Sequence, residues 1–335
     1  MKLHQKINKK ICKKFFEKIK QSKSIFITGH VNPDADVIGS ALAIYLWINK
    51  IFPKKDIDVI FRNNLPHWLN FLPNFDKIKV CGDKLKKNYD LGIILECSEI
   101  SRIGEIINFN QLKFVVNIDH HLNNHNKRNV YNLNFTNSTY ASCAEILFDI
   151  FETLKVKLDN KIATCLYVGI VTDTGKFQWS NTNQHSFYTA MKLLSYGIKP
   201  YEIYKNLFRQ KSYNSMLLLS KVLSTMQIVK IGNVNVGIIK ASYNMFSETK
   251  TTVVDTEDFV NFPMDVAGTN VSVFLREDKP NVVKVSFRSG SVDVEKIARH
   301  FGGGGHKFAS GATIEGNIED VKNEVLKVLK NYLDK

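Results

Sequence analysis

The sequence predicts an α/β protein of two domains: a larger first domain built on a mostly parallel sheet, and a smaller second α/β domain. Its 335 residues suffice for two domains of ordinary size. From Ser24 to about Val171, apolar runs alternate with helical patterns, which is typical of βαβ units and a parallel sheet. Acidic residues and histidines directly follow several of these runs. Ligands of parallel sheets bind beyond the carboxyl ends of the strands, so the pattern also predicts where the functional site lies.

The first predicted element is a basic amphipathic helix over residues 6–22, which carries apolar residues at four-residue spacing. We expect it to dock on the domain that follows, and a membrane-surface or nucleic-acid role is the alternative. The predicted strands of the first domain are 24–28, 57–61, 91–96, 113–118 and 166–172. The predicted helices are 37–51, 140–154 and 160–168, the last of which overlaps the fifth strand.

The second half of the chain predicts two helices followed by a mixed region. Residues 184–197 and 201–225 have helical patterns, separated at Gly197–Pro200 by a helix stop and a restart. Predicted strands at 227–241, 272–276 and 282–288 precede helices at 292–301 and 318–333. The predicted division is a metal-binding catalytic domain over 1–200, a helical linker over 201–222 and a substrate-binding domain over 223–335.

Composition indicates a cytoplasmic protein without a membrane anchor. The chain is 44% hydrophobic and 23% charged, as in globular proteins, and no window approaches the ~18 apolar residues of a membrane-spanning helix. The start of the chain lacks the features of a secretory signal. Five scattered cysteines without a Cys-x-x-Cys pair fit a reducing compartment. The net charge of +14 favours a polyanionic partner, although the lysines are spread along a chain that is rich in lysine throughout.

Eight acidic and histidine residues follow the predicted strands of the first domain. Buried charge is costly unless it is paired or bound to a metal, so these residues predict a shared metal site. One acidic residue would suffice to cap the helix after the first strand, where this chain has two and a histidine. Oxygen ligands mixed with imidazole suit Mn²⁺, Mg²⁺ or Zn²⁺. Two ions about 3.5–4 Å apart that share a bridging carboxylate would use the whole set, and such a pair suits phosphoester hydrolysis. The residues are His30, Asp34, Asp36, Glu96, Asp119, His120, His121 and Asp173.

These motifs resemble the DHH superfamily of phosphoesterases. The resemblance is carried by His30-x3-Asp34-x-Asp36, by the run from Asp119 to His121, and by Asp173-Thr-Gly175. It implies a Rossmann-like sheet in the first domain. It also implies that His30 and Asp34 bind one ion, and that Asp36, His120 and Asp173 bind a second.

The resemblance implies further roles around these ions. Glu96 would bridge the two ions at a position where the family usually has Asp. Asp119 would orient His120, as partners of metal-bound histidines do. His121 would contact the scissile phosphate and act as general acid toward the leaving oxygen.

The C-terminal region resembles the companion domain of this superfamily, the DHHA1 type. Val283–Arg288, Gly302–His306 and Lys307–Gly311 carry that resemblance, which extends in all over about residues 22–330. It implies an active-site cleft between the two domains and a substrate-binding role for part of the second. The glycines have a simpler interpretation as a helix C-cap and a turn, and Phe308 could either stack on a base or pack in the core. The implied substrate-binding residues are Arg288, Gly303, Gly304, Gly305 and His306.

The resemblance is closest to the compact group of oligoribonucleases (nano-RNases) and 3′-phosphoadenosine 5′-phosphate phosphatases. It implies a metal-dependent phosphoesterase, of the oligoribonuclease or 3′(2′),5′-bisphosphate nucleotidase type, with two divalent cations, Mn²⁺ or alternatively Mg²⁺. The expected partners are short RNA oligonucleotides and phosphorylated nucleotides, with no membrane, and a homodimer is one option. A phosphodiesterase for cyclic or linear dinucleotides (c-di-AMP or pApA) is the nearest alternative. A non-catalytic nucleotide sensor, for which Glu96 is the only hint, is the alternative of another class.

Overall fold

A computed structural model describes residues 7–63, 65–97, 99–121 and 130–333 of the chain. The chain divides into two compact units, Met1–Gln210 and Lys211–Lys335. The segment predicted as a helical linker, 201–222, contains most of the last helix of the first unit and most of the first helix of the second. Its role as a linker stays a prediction.

The first unit contains six strands and six helices within the described ranges. The strands are β1 (Ser24–Gly29), β2 (Asp56–Phe61), β3 (Ile78–Val80), β4 (Leu91–Leu95), β5 (Val115–Asp119) and β6 (Leu133–Thr136). The helices are α1 (Lys9–Gln21), α2 (Ala35–Ile51), α3 (Cys143–Leu154), α4 (Asn160–Asp173), α5 (Gln184–Leu194) and α6 (Pro200–Phe208). Short 3₁₀ helices occur at His67–Leu69, Phe75–Lys77, Ile100–Ile103 and Phe109–Gln111.

The sheet of the first unit is parallel throughout and has the strand order β3-β2-β1-β4-β5-β6. The predicted parallel sheet is therefore confirmed. The strand order reverses between β1 and β4, which are neighbours in the sheet. In parallel sheets the loops after such a pair of strands run to opposite faces, and the crevice that they leave at the carboxyl edge is the usual ligand position.

Close packing of α2 against α4 fixes the layer behind this crevice. A Cβ atom added to Gly39 of α2 would lie 2.4 Å from the carbonyl oxygen of Cys165 in α4. Only glycine therefore allows the two helices to approach this closely.

The N-terminal helix docks on the first unit, as expected. Cys12, Phe15 and Ile19 of α1 are fully buried in its core. The ring centroid of Phe15 lies 6.2 Å from that of Trp47 and 5.7 Å from that of Phe135. The apolar face of this helix is therefore occupied by its own domain, which argues against the membrane-surface alternative.

The predicted strand at 166–172 is wrong, because these residues form the last two turns of α4. Asp159 caps this helix by accepting a hydrogen bond from the Ile162 amide (3.1 Å). The run from Ile162 to Val171 is buried nearly all round, so it lacks the periodicity that distinguishes a surface helix from a buried strand. Asp173 consequently lies at the end of a helix and not of a strand.

The second unit contains a mixed six-stranded sheet with helices on both faces. Its strands are β7 (Gln227–Ile231), β8 (Val234–Ala241), β9 (Thr269–Lys279), β10 (Val282–Ser289), β11 (Gly304–His306) and β12 (Ala309–Glu315). Its helices are α7 (Tyr213–Leu223), α8 (Tyr243–Thr249), α9 (Val294–His300) and α10 (Ile318–Leu333), with 3₁₀ helices at Val253–Thr256 and Phe259–Asp265. The strand order is β11-β12-β10-β9-β8-β7, and only β8 and β9 pair in parallel.

Alternation along β9 explains the two-sided core of this unit. Val271, Val273 and Leu275 face the core formed with α9 and α10, whereas Phe274 faces the core formed with α7 and α8. Within the described ranges, none of the helices has the combination of length and apolarity that crossing a bilayer requires.

Candidate metal centre

Four segments of the first unit converge at the carboxyl edge of the sheet, near the neighbouring strands β1 and β4. The loop after β1 and the first turn of α2 carry His30, Asp34 and Asp36. Glu96 follows β4 directly, and His120 follows β5. Asp173 reaches the same place from the end of α4. We call the six residues His30, Asp34, Asp36, Glu96, His120 and Asp173 the His–carboxylate cluster.

His30 and Asp34 are arranged so that each offers one free ligand atom. The Nδ1 of His30 lies 2.9 Å from the carbonyl oxygen of Val31. Because a carbonyl can only accept, Nδ1 carries the proton and Nε2 of the neutral ring keeps its lone pair. Asp34 caps α2 with Oδ1, which accepts from the amides of Asp36 (3.1 Å) and Val37 (3.0 Å). Its Oδ2 lies 3.5 Å from His30 Nε2, so one carboxylate serves both as cap and as candidate ligand.

Glu96 lies between the two halves of the cluster. Its Oε2 is 3.9 Å from His30 Nε2 and 3.9 Å from His120 Nε2. The residue is 1% exposed and has a left-handed backbone (φ 54°), an unfavourable conformation for a non-glycine residue. Burial, together with the negative charge of Asp36, raises the pKa of Glu96 well above its usual range.

Asp36 is fully buried and is held at the N-terminus of α3. Its Oδ2 accepts from the Cys143 amide (2.5 Å), and its Oδ1 accepts from the Ala144 amide (3.0 Å) and the Ser40 hydroxyl (3.2 Å). The amides at a helix N-terminus stabilise negative charge. Burial nevertheless raises the pKa of Asp36, and the positive charge of His120 opposes that rise.

His120 and Asp173 are in direct contact. Their Nε2 and Oδ2 atoms are 3.1 Å apart. Burial disfavours the charged imidazole, but the Asp173 carboxylate outweighs it and raises the pKa of His120 to about 9. Burial and the charge of Asp36 raise the pKa of Asp173 to about 7. Without a cation, these buried carboxylates can therefore reduce their mutual repulsion only by taking up protons.

Asp119 contacts His121 in this structure, and its predicted role of orienting His120 stays a prediction. Its Oδ1 accepts from the His121 amide (2.9 Å) and from His121 Nδ1 (2.8 Å). Asp119 is fully buried, whereas the side chain of His121 is 43% exposed. Burial opposes ionisation, but these hydrogen bonds from His121 lower the pKa of Asp119. The chain turns after Asp119 so that His121 contacts the Asp119 carboxylate, whereas His120 contacts Asp173 within the cluster.

The ligand atoms of the cluster lie close enough to share metal ions. Three groups each have their ligand atoms within 4.8 Å of one another: His30 with Asp34 and Glu96, Asp36 with His120 and Asp173, and Glu96 with His120 and His121. Among the described residues, Glu96 Oε1 is buried without a hydrogen-bond partner, and His120 Nε2 has only the ion-pair contact with Asp173 Oδ2 at 3.1 Å. A cation would provide a partner for these buried ligand atoms and would offset the like charges around them. The residues therefore fit divalent metal ions.

Two supporting features were missed by the sequence reasoning. A Cβ atom on Gly169 of α4 would lie 2.3 Å from Asp36 Oδ1, so this glycine makes room for the carboxylate. The side-chain Nδ2 of Asn181 donates to the carbonyl oxygens of Asp173 (2.8 Å) and Ala141 (3.3 Å). A lone glycine in an apolar helix was the available signal for the first feature. The second depends on a tertiary contact that the sequence does not reveal.

In the second unit, the run Gly302–Gly311 forms an edge hairpin of β11 and β12, which we call the glycine hairpin. Gly302 follows α9 in a left-handed conformation (φ 71°) and donates to the Arg299 carbonyl (3.0 Å), as a helix C-cap does. A Cβ atom on Gly303 would lie 2.2 Å from the Gly311 carbonyl, and one on Gly305 would lie 2.6 Å from that of Ala309. A Cβ atom on Gly304 would meet nothing within 4 Å. Folding therefore accounts for three of the four glycines and leaves Gly304 unexplained.

Arg288 and His306 flank this hairpin in one row. Both pair with Ala309 of β12, Arg288 from β10 and His306 from β11. Directly paired residues project from the same face, so the two basic side chains stand about 10 Å apart across a small alanine. Phe308 is 42% exposed, which argues against packing in the core. The substrate-binding role of these residues stays a prediction.

Family comparisons agree with this arrangement. Residues 24–170 match the DHH family, N-terminal domain, and residues 234–335 match the DHHA1 domain. The first match contains five residues of the His–carboxylate cluster and ends before Asp173. The second contains the whole glycine hairpin.

Similar proteins extend over nearly the whole chain. A bifunctional oligoribonuclease and PAP phosphatase, NrnA, of Thermus thermophilus is 34% identical over 92% of this chain and 90% of its own. The protein of the same name from Mycoplasma pneumoniae is 27% identical over 93% of both. A solved exopolyphosphatase-related protein from Bacteroides fragilis superposes with a TM-score of 0.84 at 27% identity, covering 99% of this chain and 98% of that one.

Proposed function

Because the chain belongs to the DHH family of metal-dependent phosphoesterases, we propose that it hydrolyses short oligoribonucleotides to mononucleotides and 3′-phosphoadenosine 5′-phosphate to AMP. The observation that carries the proposal is the convergence of six histidine and carboxylate side chains into overlapping groups with ligand atoms within 4.8 Å. The substrate class rests on the relatives named oligoribonuclease and PAP phosphatase, which match over more than nine-tenths of this chain.

Two divalent ions would occupy the His–carboxylate cluster. His30 and Asp34 would hold the first, and Asp36, His120 and Asp173 would hold the second. Glu96 would be shared between them, in keeping with the distance of 3.9 Å from its Oε2 to the Nε2 atoms of both His30 and His120. The mixed oxygen and imidazole set favours Mn²⁺, with Mg²⁺ as the alternative. When bound, such a pair polarises the phosphate, supplies a nucleophile at neutral pH and stabilises the leaving oxygen.

His121 acts as general acid in this proposal. Asp119 accepts from its Nδ1 (2.8 Å), which fixes the ring of a side chain that is 43% exposed and leaves Nε2 for the substrate. A protonated Nε2 donates its proton to the leaving oxygen as the P–O bond breaks. The buried Asp119 carboxylate at Nδ1 holds the ring in position for that step.

The glycine hairpin of the second unit binds the substrate. Arg288 and His306 offer two basic groups on one face, which suits a phosphate or the 3′ end of a nucleotide. Gly304, which the fold does not require to be glycine, exposes backbone for a close contact with the substrate, alongside Gly303 and Gly305.

We also propose a compartment, a class of partner and an assembly for this protein. All five cysteines are free thiols and four of them are buried, in keeping with a reducing, cytoplasmic compartment. Short RNA and phosphorylated nucleotides are the proposed partners, consistent with a net charge of +14. A homodimer is the proposed assembly, to be tested by its mass in solution.

The experiment is a substrate panel with purified protein. In the presence of Mn²⁺, an RNA of two to five residues should yield mononucleotides, and 3′-phosphoadenosine 5′-phosphate should yield AMP. Asp36→Ala and His120→Ala should each abolish turnover. Asp76→Ala is the matched control, because the Asp76 side chain is 74% exposed and lies outside the cluster.

No release of product with any divalent metal, or undiminished release by Asp36→Ala, would contradict the proposal. Binding of nucleotides without any turnover would favour the sensor. Turnover of pApA or c-di-AMP in preference to longer RNA would favour the dinucleotide phosphodiesterase.

A further inference from the structure

Trp179 is exposed to a degree that its chemistry does not favour. Its side chain is 60% exposed, compared with 38% for Trp68 and 2% for Trp47. An indole is one of the largest apolar groups in proteins, so leaving it in water forgoes a sizeable hydrophobic gain. The exposed ring is therefore available to a ligand.

The indole is seated on the backbone of Gly175. A Cβ atom at Gly175 would lie 2.3 Å from Trp179 Cε2 and 2.4 Å from Nε1, so any larger residue would displace the ring. The turn that brings them together contains three successive left-handed residues: Gly175 (φ 54°), Lys176 (φ 65°) and Phe177 (φ 64°). Two of these are not glycine, and such strain persists where the surrounding structure enforces it, often at functional sites. The amide of Trp179 donates to the Thr174 carbonyl (3.0 Å), which closes the turn.

The same turn treats its two aromatic residues differently. Phe177 stacks on Phe187 with ring centroids 5.1 Å apart and planes 23° apart. Trp179 instead covers Gly175 and presents the rest of its surface to solvent. A need for hydrophobic packing explains Phe177 but does not explain Trp179.

The turn is also tied to the His–carboxylate cluster. It begins directly after Asp173, whose carbonyl oxygen accepts from the Asn181 amide (2.8 Å), two residues beyond Trp179. The indole is therefore fixed to the same short segment as a candidate metal ligand. A nucleotide whose phosphate lay at the cluster would have its base within reach of this segment.

We propose that Trp179 is a stacking platform for a nucleobase of the substrate. The proposal rests on the proposed function, since the ligand is the nucleotide whose phosphate is cleaved at the cluster. An aromatic ring that is supported on one side and open on the other is what base stacking requires, and stacking accepts any base because every base has a π-face. Trp179 binds and orients the substrate without taking part in proton transfer.

The first test is fluorescence of the full-length protein with Mg²⁺, titrated with AMP and with ribose 5-phosphate. AMP should quench the tryptophan emission and ribose 5-phosphate should not. The quench should survive in Trp68→Phe and vanish in Trp179→Phe. Equal quenching by the two ligands, or quenching by AMP that persists in Trp179→Phe, would overturn the proposal.

The second test is kinetic and separates this inference from the proposed function. For a two-residue RNA, Trp179→Ala should raise KM about tenfold with kcat nearly unchanged, and Trp179→Phe should recover most of the loss. Thermal melting of Trp179→Ala should match the parent protein, since the side chain is exposed. Turnover by the parent protein with an unchanged KM in Trp179→Ala would overturn the stacking role alone. If the parent protein did not turn over RNA, the proposed function would fail, and the AMP titration would still decide whether Trp179 binds a base.

Discussion

The His–carboxylate cluster and the glycine hairpin are built in opposite ways. In the cluster, mostly buried side chains from α2, from α4 and from the segments after β1, β4 and β5 converge. Hydrogen bonds to backbone, such as those from α3 to Asp36, fix some of their positions. In the hairpin, half of the residues are glycine, and Gly304 and His306 are exposed on an edge strand. Shortening or neutralising a side chain should therefore impair the function of the cluster. Adding a side chain should impair the function of the hairpin.

The largest effect is expected at Glu96, whose carboxylate joins the two halves of the cluster. Glu96→Gln should lower kcat/KM by roughly a thousandfold, because a shared ligand supports several kcal/mol of transition-state stabilisation. The metal-free protein should melt at nearly the same temperature, because burial raises the pKa of Glu96 and the side-chain amide of glutamine has the same shape without the buried charge. Melting curves with Mn²⁺ and with EDTA measure both, and a large loss of stability without metal would show that Glu96 is mainly structural.

A smaller loss of activity is expected on replacing Asp119. This variant distinguishes a role in holding His121 from a role in orienting His120. Asp119→Asn should reduce kcat about 10- to 100-fold by releasing His121, while the affinity for Mn²⁺ stays unchanged. Calorimetric titration with Mn²⁺ measures the affinity, and Asp76→Asn is the exposed control. Weakened Mn²⁺ binding in Asp119→Asn would instead restore the sequence-based view that Asp119 orients His120.

Gly169 tests how tightly the cluster is packed. Gly169→Ala places a methyl group 2.3 Å from Asp36 Oδ1 and 2.9 Å from the Cβ of Ala144. We expect a loss of about 1–3 kcal/mol in the free energy of unfolding, measured with denaturant, together with weaker Mn²⁺ binding. Gly82→Ala is the matched control, because its Cβ would meet nothing within 4 Å. Equal stability of the two variants would mean that Asp36 has room to move.

The smallest effect is expected in the glycine hairpin, where two neighbours should behave differently. Gly303→Ala meets the Gly311 carbonyl at 2.2 Å and should destabilise the second unit. Gly304→Ala meets nothing and should leave stability unchanged, but raise KM for a two-residue RNA about fivefold, equivalent to about 1 kcal/mol. An unchanged KM in Gly304→Ala would remove the hairpin backbone from substrate binding.

The sequence predicted those parts of the molecule whose pattern is local. Runs of apolar residues at 24–28 and 91–96 predicted β1 and β4, and the polar residues that follow them predicted the edge where the cluster lies. The short strands β3 and β6 were missed, because three or four residues carry too little alternation to stand out. The helix α4 was partly taken for a strand because burial on all sides removes its periodicity.

The sequence predicted which residues form the site better than it predicted which of their side chains are in contact. The sequence placed Asp119, His120 and His121 together, but which histidine Asp119 contacts depends on how the chain turns after β5. The role of Gly169 depends on the approach of α2 to α4, and the seating of Trp179 on Gly175 depends on three left-handed residues in succession. These are consequences of tertiary packing that residue spacing does not encode.

The central claim is that the His–carboxylate cluster holds two metal ions. The most direct measurement is the number of Mn²⁺ ions bound per chain, determined by equilibrium dialysis of the purified protein after removal of metal with EDTA. The account predicts two ions for the parent protein and fewer for His120→Ala, since His120 belongs to two of the three ligand groups. A single ion in the parent protein, or two ions retained by His120→Ala, would contradict it.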